Sequence, residues 1–302
     1  MNPGDPVDAA LSDALSQGVA ATQLWSLLLS VFERRAAQRT PASVRRQWET
    51  DRFAQPCAIG QRTLNELDSH LLAAAAAFEA LELSPLAPLA TCSAVALTSQ
   101  NRVVSTARGT EVVSDPTNVL ALECAKRLRA APHAVVKLTT SHRCVRAQAA
   151  LDRPGFAAHF RIFCLASASH EQKDHAFVTA ALTEHIRTHI AALDRLEQHG
   201  YSFPDRRLRL LATPQRLHLA RRIAAGIPEI PAAFEPLEHN YYDGLRFVLD
   251  VGTPDGNAIA LIDGGAFDWL RQLTANNRMV LVASGLGSQL AATIFRRVAM
   301  LA

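Results

Sequence analysis

Apolar positions at the start of the chain recur with the spacing of an amphipathic α-helix. Between residues 8 and 48, five large apolar side chains fall on one side of such a helix: Leu24, Trp25, Leu28, Leu29 and Phe32. The basic stretch of residues 33–46, ERRAAQRTPASVRR, contains a proline and predicts a polar connector. A second helix is predicted over residues 64–81, where a run of alanines favours the helix. We therefore expect a helical extension over residues 1–55 and a core over residues 56–302.

The core sequence alternates short strand-like segments with helices. Pro85 and Pro88 restrict the apolar segment around them to short strands at an edge or interface. Asp115 as N-cap and Pro116 at the first helical position predict the start of a helix. The other predicted elements are a hairpin over residues 102–113, strands over residues 133–150 and 159–169, and a helix over residues 174–200. Strands grouped in hairpins between helices predict an α+β fold, with an antiparallel β-sheet flanked by helices.

Residues 238–270 predict a further hairpin with distinctive residues at its ends. Two strands are joined by a Pro-Asp-Gly turn. Tyr241 and Tyr242 begin the first strand, while Gly264 and Gly265 close the second strand before a helix. Paired tyrosines fit ordinary alternation between core and surface, so the pattern alone does not establish a binding site.

Composition and charge argue against several classes of protein. With 302 residues and 49% hydrophobic residues, the chain can bury a sizeable core. A formal net charge of +3 is too small to indicate nucleic-acid binding. The five cysteines include no C-x-x-C pair, which favours a reducing cytoplasm over a disulfide framework or a zinc site. No basic N-terminal region and no apolar run of roughly 18 residues is present, so neither an export signal nor a membrane anchor is expected.

Two pairs of residues have ordinary structural explanations. His185 and His189 lie four residues apart on one predicted helix face, a spacing that suits metal ligation, but no third ligand is evident. We therefore expect a solvated histidine pair and no metal site. Cys144 and Cys164 fall on predicted strands and are expected to be small core residues.

The order of elements and several short motifs resemble the catalytic core of class II aminoacyl-tRNA synthetases, most closely the histidyl-tRNA synthetase branch. The resemblance covers roughly residues 60–300. The predicted helix followed by LELSPLAPL resembles the first motif of the family, with Pro85 in place of its dimer-interface proline. NYYDGLRF resembles the D-Y-Y-x-x-x-x-F substrate strand, and DGGAFDWL resembles the G-G-R-Y-D-x-L motif. The resemblance implies a class II synthetase-like fold and a homodimer formed through residues 64–88.

The resemblance also assigns roles to residues in the middle of the chain. Asp115 stands where the family has a Glu that holds the amino group of the substrate, and Thr117 is retained beside it. Arg146 stands where an arginine binds the α-phosphate of ATP, and Gln148 stands where the family has a Glu. Arg161 matches an arginine at the end of the same motif. Apart from the resemblance, the two arginines also fit solvated or acid-paired positions, and the Asp also fits a simple helix cap.

The same resemblance implies an amino-acid pocket near the C-terminal hairpin. Tyr241 and Tyr242 would form its aromatic walls, while Gly264 and Gly265 would let backbone approach the ligand closely. Together with the acidic residue and the arginine at its mouth, such a pocket would favour a small amino-acid-like ligand.

Departures from the family pattern argue against efficient catalysis. Leu237 and Leu290, the latter preceded by Gln289, occupy positions where the family has arginines that contact the substrate and ATP. Each lost donor is expected to raise the barrier to adenylate formation by roughly 2–4 kcal/mol. Leu165 and Ser169 replace polar residues that recognise an imidazole, which argues against histidine as ligand. The sequence also contains no counterpart of the family's anticodon-binding domain, so tRNA charging is not expected.

Two classes of function follow from these observations. In the first, the protein is a catalytically degenerate synthetase paralogue that binds an amino-acid-like small molecule without a cofactor and regulates or scaffolds a partner enzyme. The regulatory subunit of ATP phosphoribosyltransferase is an example from the same branch. In the second, the protein is a divergent ligase that uses ATP and magnesium to activate an amino acid for an acceptor other than tRNA. Both hypotheses predict a cytoplasmic protein.

Overall fold

The computed structural model describes residues 6–148 and 156–297. Within these ranges the α-helices are α1 (Pro6–Gln17), α2 (Ala21–Ala37), α3 (Pro41–Thr50), α4 (Gln61–Ala74), α5 (Pro116–Ala130), α6 (Ala176–Glu197), α7 (Leu217–Ala225), α8 (Trp269–Thr274) and α9 (Ser288–Ile294). The β-strands are β1 (Glu79–Ala80), β2 (Leu86–Pro88), β3 (Thr110–Val112), β4 (Val136–Val145), β5 (His159–His170), β6 (Arg207–Ala212), β7 (Ala232–Pro236), β8 (Leu245–Gly252), β9 (Ala258–Phe267) and β10 (Met279–Leu286). The end of the strand predicted over residues 133–150 lies outside the described residues.

Eight strands form one sheet in the order β1-β4-β5-β10-β9-β8-β6-β7. The central strands pair antiparallel, and the only parallel pairs in the described ranges are β1 with β4 and β6 with β7 at the two edges. Strands β2 and β3 form a separate antiparallel pair. The predicted α+β class with a largely antiparallel sheet is therefore confirmed.

Side chains alternate between the two faces of the large sheet because the strand repeat is two residues. One face, which we call the α6 face, packs against α4, α6, α7 and α9 around the larger apolar core. The opposite face, which we call the α5 face, packs against α5 and α8 around a smaller core. Which face a strand residue occupies decides whether it enters the main core or the region of the candidate site.

The first half of the chain differs from expectation at two places. Helix α4 ends at Ala74, before the end of the predicted alanine-rich helix, because the chain turns to pair β1 with β4. The predicted connector over residues 33–46 is mostly helical: α2 continues to Ala37, and α3 begins at Pro41. A capping box between Thr40 and Ser43 satisfies the first amides of α3, which explains why the break is only a few residues long.

The C-terminal hairpin also differs in its boundaries. Tyr241 and Tyr242 lie in the turn before β8, which begins at Leu245. The turn passes through Gly244, whose φ of +73° favours glycine. Gly264 and Gly265 lie inside β9, which continues to Phe267, and do not end the strand. The paired tyrosines therefore belong to a loop that can position them independently of strand alternation.

The N-terminal helices contact the core through few residues. No residue of α2 or α3 is buried. The Trp25 indole packs against the turn at Gly109, where an added Cβ would lie 3.4 Å from the ring. The Phe32 side chain, on the same predicted apolar side, is 58% exposed. Within the described part of the chain, no helix has the length and apolar character needed to cross a membrane.

Candidate functional site

A cavity of about 290 Å³ lies between the N-terminus of α5, the end of β4 and the loop before β8. Its lining residues are Cys92, Thr98, Arg102, Ser114, Asp115, Asn118, Arg146, Gln148 and Tyr241. Four residues predicted for the site are therefore brought together here from three separate segments of the chain. We call this space the Asp115 cavity.

Asp115 combines a structural and a charged role at this cavity. It is the N-cap of α5, with Pro116 at the first helical position as the sequence predicts. Its Oδ1 accepts hydrogen bonds from the Thr117 amide (3.0 Å) and the Thr117 hydroxyl (2.7 Å). Its Oδ2 lies 3.5 Å from a terminal guanidinium nitrogen of Arg146. Thr117 thus orients the carboxylate, and Oδ2, with only its long contact to Arg146, can still accept a hydrogen bond from a ligand.

Arg146 is held by contacts on three sides. Its Nε donates to the carbonyl of Ser114 at 3.1 Å, and its guanidinium lies 4.9 Å from the centre of the Phe160 ring. The pairing with Asp115 is long, so the guanidinium retains donors for another anion. Gln148 lies two residues further along the chain and lines the same cavity.

Tyr241 forms the aromatic wall of the cavity. Its ring meets those of Tyr242, Phe267 and Trp269 edge-on, with centroids 5.0, 5.6 and 6.0 Å away. Burial, reinforced by the negative charge of Asp115, raises the pKa of the Tyr241 phenol, so the hydroxyl is neutral at physiological pH.

Tyr242 supports this wall from behind. Its hydroxyl donates to Asp263 Oδ1 at 3.0 Å, and the same carboxylate pairs with Arg246. A Cβ at Gly265 would lie 2.4 Å from the Tyr242 ring, so only glycine allows this close approach. Gly265 therefore contributes indirectly, by giving Tyr242 the space it occupies.

Asn118 was not anticipated from the sequence and is the most informative residue of the cavity. Its side chain is 2% exposed, and its Oδ1 has no hydrogen-bond partner among the described residues. A buried acceptor without a partner is costly, which makes it a site for a donor from a ligand. The signal was present in the sequence, because Asn118 lies three residues after Asp115 on the same helix.

Two predicted residues lie elsewhere. Arg161 is on the α6 face of β5, where it pairs with Asp68 of α4. Burial raises the pKa of the Asp68 carboxyl despite this pairing and a hydrogen bond from Ser141. Gly264, predicted to line the pocket, is not among the residues that line the Asp115 cavity, and a Cβ there would meet Ser284 at 2.4 Å on the α6 face.

The residues on which the sequence argument against ATP and histidine rested also lie outside this cavity. Leu237 packs in a small apolar cluster with Tyr242, while Leu290 packs against the core of the α6 face. Leu165 is fully buried on that same face, and Ser169 donates to the carbonyl of Ala134. None of these four residues lines the Asp115 cavity. Their influence on ligand choice is therefore indirect.

The expected solvated histidine pair is wrong. His185 and His189 are fully buried on α6. His185 contacts the hydroxyls of Ser167 (3.0 Å) and Ser284 (2.9 Å), and His189 contacts that of Ser284 (2.8 Å). Burial lowers the pKa of both residues, that of His189 to about 3, so both are neutral. Within residues 6–148 and 156–297, no group of three or more metal-ligating side chains is present.

A second cavity, of about 480 Å³, shares Arg146 and Gln148 with the first. Its outer wall is the segment 50–59, which sequence reasoning did not connect to the site. His159 Nε2 lies 2.7 Å from the carbonyl of Gln55, and its Nδ1 lies 2.9 Å from Arg143. Because a carbonyl accepts only from a protonated nitrogen, the His159 proton is on Nε2. This hydrogen bond attaches the 50–59 segment to β5.

Comparison of the sequence with protein-family models and with curated proteins found no match. Comparison of the fold with solved structures found several matches. A Bacillus halodurans C structure named as an ATP phosphoribosyltransferase regulatory subunit/histidyl-tRNA synthetase aligns with a TM-score of 0.58 at 13% identity, covering 80% of this chain and 82% of that one. An Alicyclobacillus acidocaldarius histidine–tRNA ligase subunit aligns with a TM-score of 0.56 at 12% identity, covering 78% and 94%.

A full synthetase is matched over a smaller share of its length. Apo histidyl-tRNA synthetase from S. aureus aligns with a TM-score of 0.54 at 13% identity, covering 77% of this chain and 64% of the synthetase. At such identities the likeness concerns the fold. The chain has the fold of the catalytic core of class II aminoacyl-tRNA synthetases, as the sequence motifs had predicted.

Proposed function

We propose that this protein is a catalytically degenerate class II synthetase paralogue that binds an amino-acid-like small molecule in the Asp115 cavity and regulates or scaffolds a partner enzyme. The observation that carries the ligand proposal is that the unpartnered Asn118 side chain and the Asp115 carboxylate, whose Oδ2 has only a long 3.5 Å contact to Arg146, line one cavity. Two acceptors in one small cavity suit an ammonium group, which has donors only.

The rest of the cavity complements the other parts of an amino acid. Arg146 retains donors for a carboxylate, and Arg102 at the rim adds a second positive charge. Tyr241 provides an aromatic surface for a side chain. A volume of about 290 Å³ lies at the lower end of the range for small-molecule sites, which favours one small zwitterion over a nucleotide.

The adjoining cavity supports the non-catalytic form of the proposal. The resemblance to synthetases puts the nucleotide near Arg146 and Gln289, and both residues line this second space. No carboxylate is among its described lining residues, and Mg²⁺ bound with phosphates is usually held by one or two carboxylates. The 50–59 segment also occupies one wall. Weak or absent Mg-ATP binding is therefore expected.

Calorimetric titration with a panel of amino acids and related zwitterions tests the ligand proposal. Asp115→Asn removes the charge but keeps a good N-cap, so the fold should be unchanged while affinity falls at least about tenfold. Glu33→Gln, an exposed change on α2, is the control for loss of one negative charge. Saturable binding that is equal in both variants, or no binding of any zwitterion, would refute the proposal.

The partner proposal rests on the fold shared with the Bacillus halodurans protein, whose name includes a regulatory subunit. An ATP phosphoribosyltransferase is thus the first partner to test. Co-purification with that enzyme, followed by its activity with and without this chain, provides the measurement. A regulatory role predicts a change in activity that depends on the cavity ligand and is lost in Asp115→Asn. Stable association without a change in the partner's activity would support a scaffolding role and exclude a regulatory one.

We also propose a homodimer through the region of β2. Leu86 of β2 pairs with Val112 of β3, whose amide donates to the carbonyl of Val104 in the preceding loop, so three apolar residues lie close together. Leu86 and Val104 are 43% and 37% exposed. Sedimentation of the intact protein should give a dimer, and Leu86→Asp should give a monomer. A monomeric parent protein at micromolar concentration would contradict this proposal.

The connection between the two cavities favours the alternative function enough to require a test. Arg146 lies at their junction, as a residue bridging an amino acid and a nucleotide phosphate would. ATP–pyrophosphate exchange over the amino acids that bind distinguishes the hypotheses. Robust exchange that is lost in Arg146→Gln would establish the amino-acid-activating ligase and overturn the regulatory proposal.

A further inference from the structure

A third cavity, of about 420 Å³, opens where the ends of β5 and β9 meet the start of β10. Four cationic side chains line it: Lys173, Arg216, Arg271 and Arg278. Two acidic side chains, Glu171 and Asp243, line it as well. These residues come from five separate segments of the chain, and none belongs to the Asp115 cavity.

Both acids are already committed to protein groups. Glu171 Oε1 accepts the amides of Gln172 (2.9 Å), Phe177 (3.2 Å) and Val178 (3.4 Å), and thereby caps the N-terminus of α6. Asp243 accepts a hydrogen bond from Arg271 at 2.6 Å. The carboxylates therefore neutralise one of the four cations and the dipole of one helix.

The remaining cations lack acidic partners. Arg216 lies 2.7 and 3.0 Å from the two ring nitrogens of His175, and no carboxylate of the described ranges pairs with it. The side chains of Lys173 and Arg278 likewise make no hydrogen bond or ion pair with the residues of those ranges. Arg271, although paired with Asp243, has a buried Nε without an acceptor. The cavity therefore contains uncompensated positive charge.

Local backbone geometry positions Arg216 and the turn that follows Lys173. An added Cβ at Gly244 would lie 2.8 Å from Arg216 Cγ, so the glycine provides the space that Arg216 occupies. Asp174 and His175 adopt positive φ values of 56° and 54°. Arg222 stabilises this turn by donating to their carbonyls at 2.7 and 3.1 Å. Uncommon backbone conformations of this kind persist only where the surroundings enforce them.

We propose that this third cavity is a binding site for a phosphate-bearing small molecule. Guanidinium groups bind phosphate through parallel charge-assisted hydrogen bonds, and an anion here would remove the repulsion among the unpaired cations. The volume suits a small ligand, and Leu245, Phe267 and Val280 provide an apolar floor for the remainder of the molecule. Arg216 and Arg271 form the inner contacts, while Lys173 and Arg278 lie at the rim.

Calorimetric titration of the intact protein with sodium pyrophosphate at low ionic strength tests this assignment. Saturable binding with one site per chain is expected. Arg216→Gln and Arg278→Gln should each weaken it about tenfold or more. Arg108→Gln, a change of an exposed arginine far from this cavity in the sequence, should have no effect. Arg278 is exposed, so its variant is expected to fold even if Arg216→Gln does not.

Three outcomes would overturn the proposal. The first is no saturable binding up to about 10 mM pyrophosphate, a concentration at which even a weak site is occupied. The second is binding that falls in Asp115→Asn or Arg146→Gln but not in the Arg216 and Arg278 variants, which would put the anion in the other cavities. The third is equal binding of heparin and pyrophosphate, which would indicate a surface for polyanions. Because Asp115→Asn should leave pyrophosphate binding intact, failure here is independent of the function proposed above.

Discussion

The two faces of the eight-stranded sheet differ in how completely they are filled. On the α6 face, Phe163 and Leu165 of β5 are fully buried, and both ring nitrogens of His185 and the Nε2 of His189 meet serine hydroxyls. On the α5 face, Cys164, Ala166 and Ala168 of β5 and Ala283 of β10 are smaller. At one end of this face the sheet is covered by a tyrosine loop and not by a helix. The Asp115 cavity lies at this end of the α5 face.

The difference shows how one fold separates stability from binding. Large side chains on the α6 face join four helices to the sheet, while the Asp115 cavity lies beyond the smaller core of the α5 face, among the start of α5, the end of β4 and the tyrosine loop. Predicted site residues divide accordingly: Arg161 and Gly264 lie on the filled face, and Arg146 and Gly265 serve the open one. Changes on the first face should alter stability, and changes on the second should alter ligand affinity.

Acid should destabilise the α6 face through its two buried histidines. His185 and His189 have depressed pKa values in the folded state, that of His189 about 3, so below pH about 6.5 only the unfolded chain gains their protons. Stability is thus retained above pH 6.5 and lost as the pH falls, by about 1.4 kcal/mol per pH unit for His189. From pH 6.5 to 4.5 His189 accounts for roughly 2 kcal/mol, and His185 adds to the loss in the same direction.

Urea unfolding at a series of pH values measures this loss. His189→Gln should reduce the slope of stability against pH by about 1.4 kcal/mol per unit in the acid range. His218→Gln, at an exposed position on α7, is the matched control and should leave the slope unchanged. An identical slope in the His189 variant would show that the folded protein takes up that proton.

Truncation of an aromatic ring should lower the free energy of unfolding more on the α6 face than on the α5 face. Phe247 is 1% exposed, so Phe247→Ala should lower the free energy of unfolding by about 3–5 kcal/mol. Tyr241 is 36% exposed, and Tyr241→Ala should cost about half as much while abolishing ligand binding. Chemical denaturation and calorimetry of both variants provide the comparison. Equal losses of stability would mean that the open face is part of the main core.

The two adjacent glycines of β9 give a closer test. A Cβ at Gly264 would lie 2.4 Å from Ser284, and one at Gly265 would lie 2.4 Å from the Tyr242 ring and from the Leu245 carbonyl. Each Gly→Ala change should cost about 1–3 kcal/mol through overpacking. Only Gly265→Ala should also weaken ligand binding, because it displaces the tyrosine loop. Loss of affinity in Gly264→Ala alone would reverse the assignment of faces.

Removal of residues 1–55 should have the smallest effect on stability. No residue of α2 or α3 is buried, and the described links to the core include the Trp25 packing and hydrogen bonds from segment 50–59. Deletion should cost about 1 kcal/mol, the scale of one or two hydrogen bonds, and should open the second cavity. Thermal unfolding of the truncated chain measures this loss of stability. An unfolded product would show that the extension is part of the core.

Much of the local structure could be predicted from the sequence. The Asp-Pro pair located the first residue of α5, and the helix that stops near Gly200 was found because its apolar spacing is regular over 22 residues. The motifs around Arg146 and the paired tyrosines were sufficient to indicate the fold. The ends of helices and strands were predicted less accurately where tertiary pairing decides them. Helix α4, for example, ends early because the following residues form β1 and pair with β4.

The sequence alone determined the elements, the approximate strand alternation and the synthetase-like order, because these depend on neighbours along the chain. Only the tertiary structure decided which alternating positions face an open space. Arg161 and Arg146 are equally polar in the sequence, but the helices that cover each face bury one against Asp68 and leave the other at a cavity. The third cavity likewise could not be predicted from the sequence, since it combines residues from 171 to 278. Such sites depend on strand order and helix placement, and local periodicity contains no information about contacts at that distance.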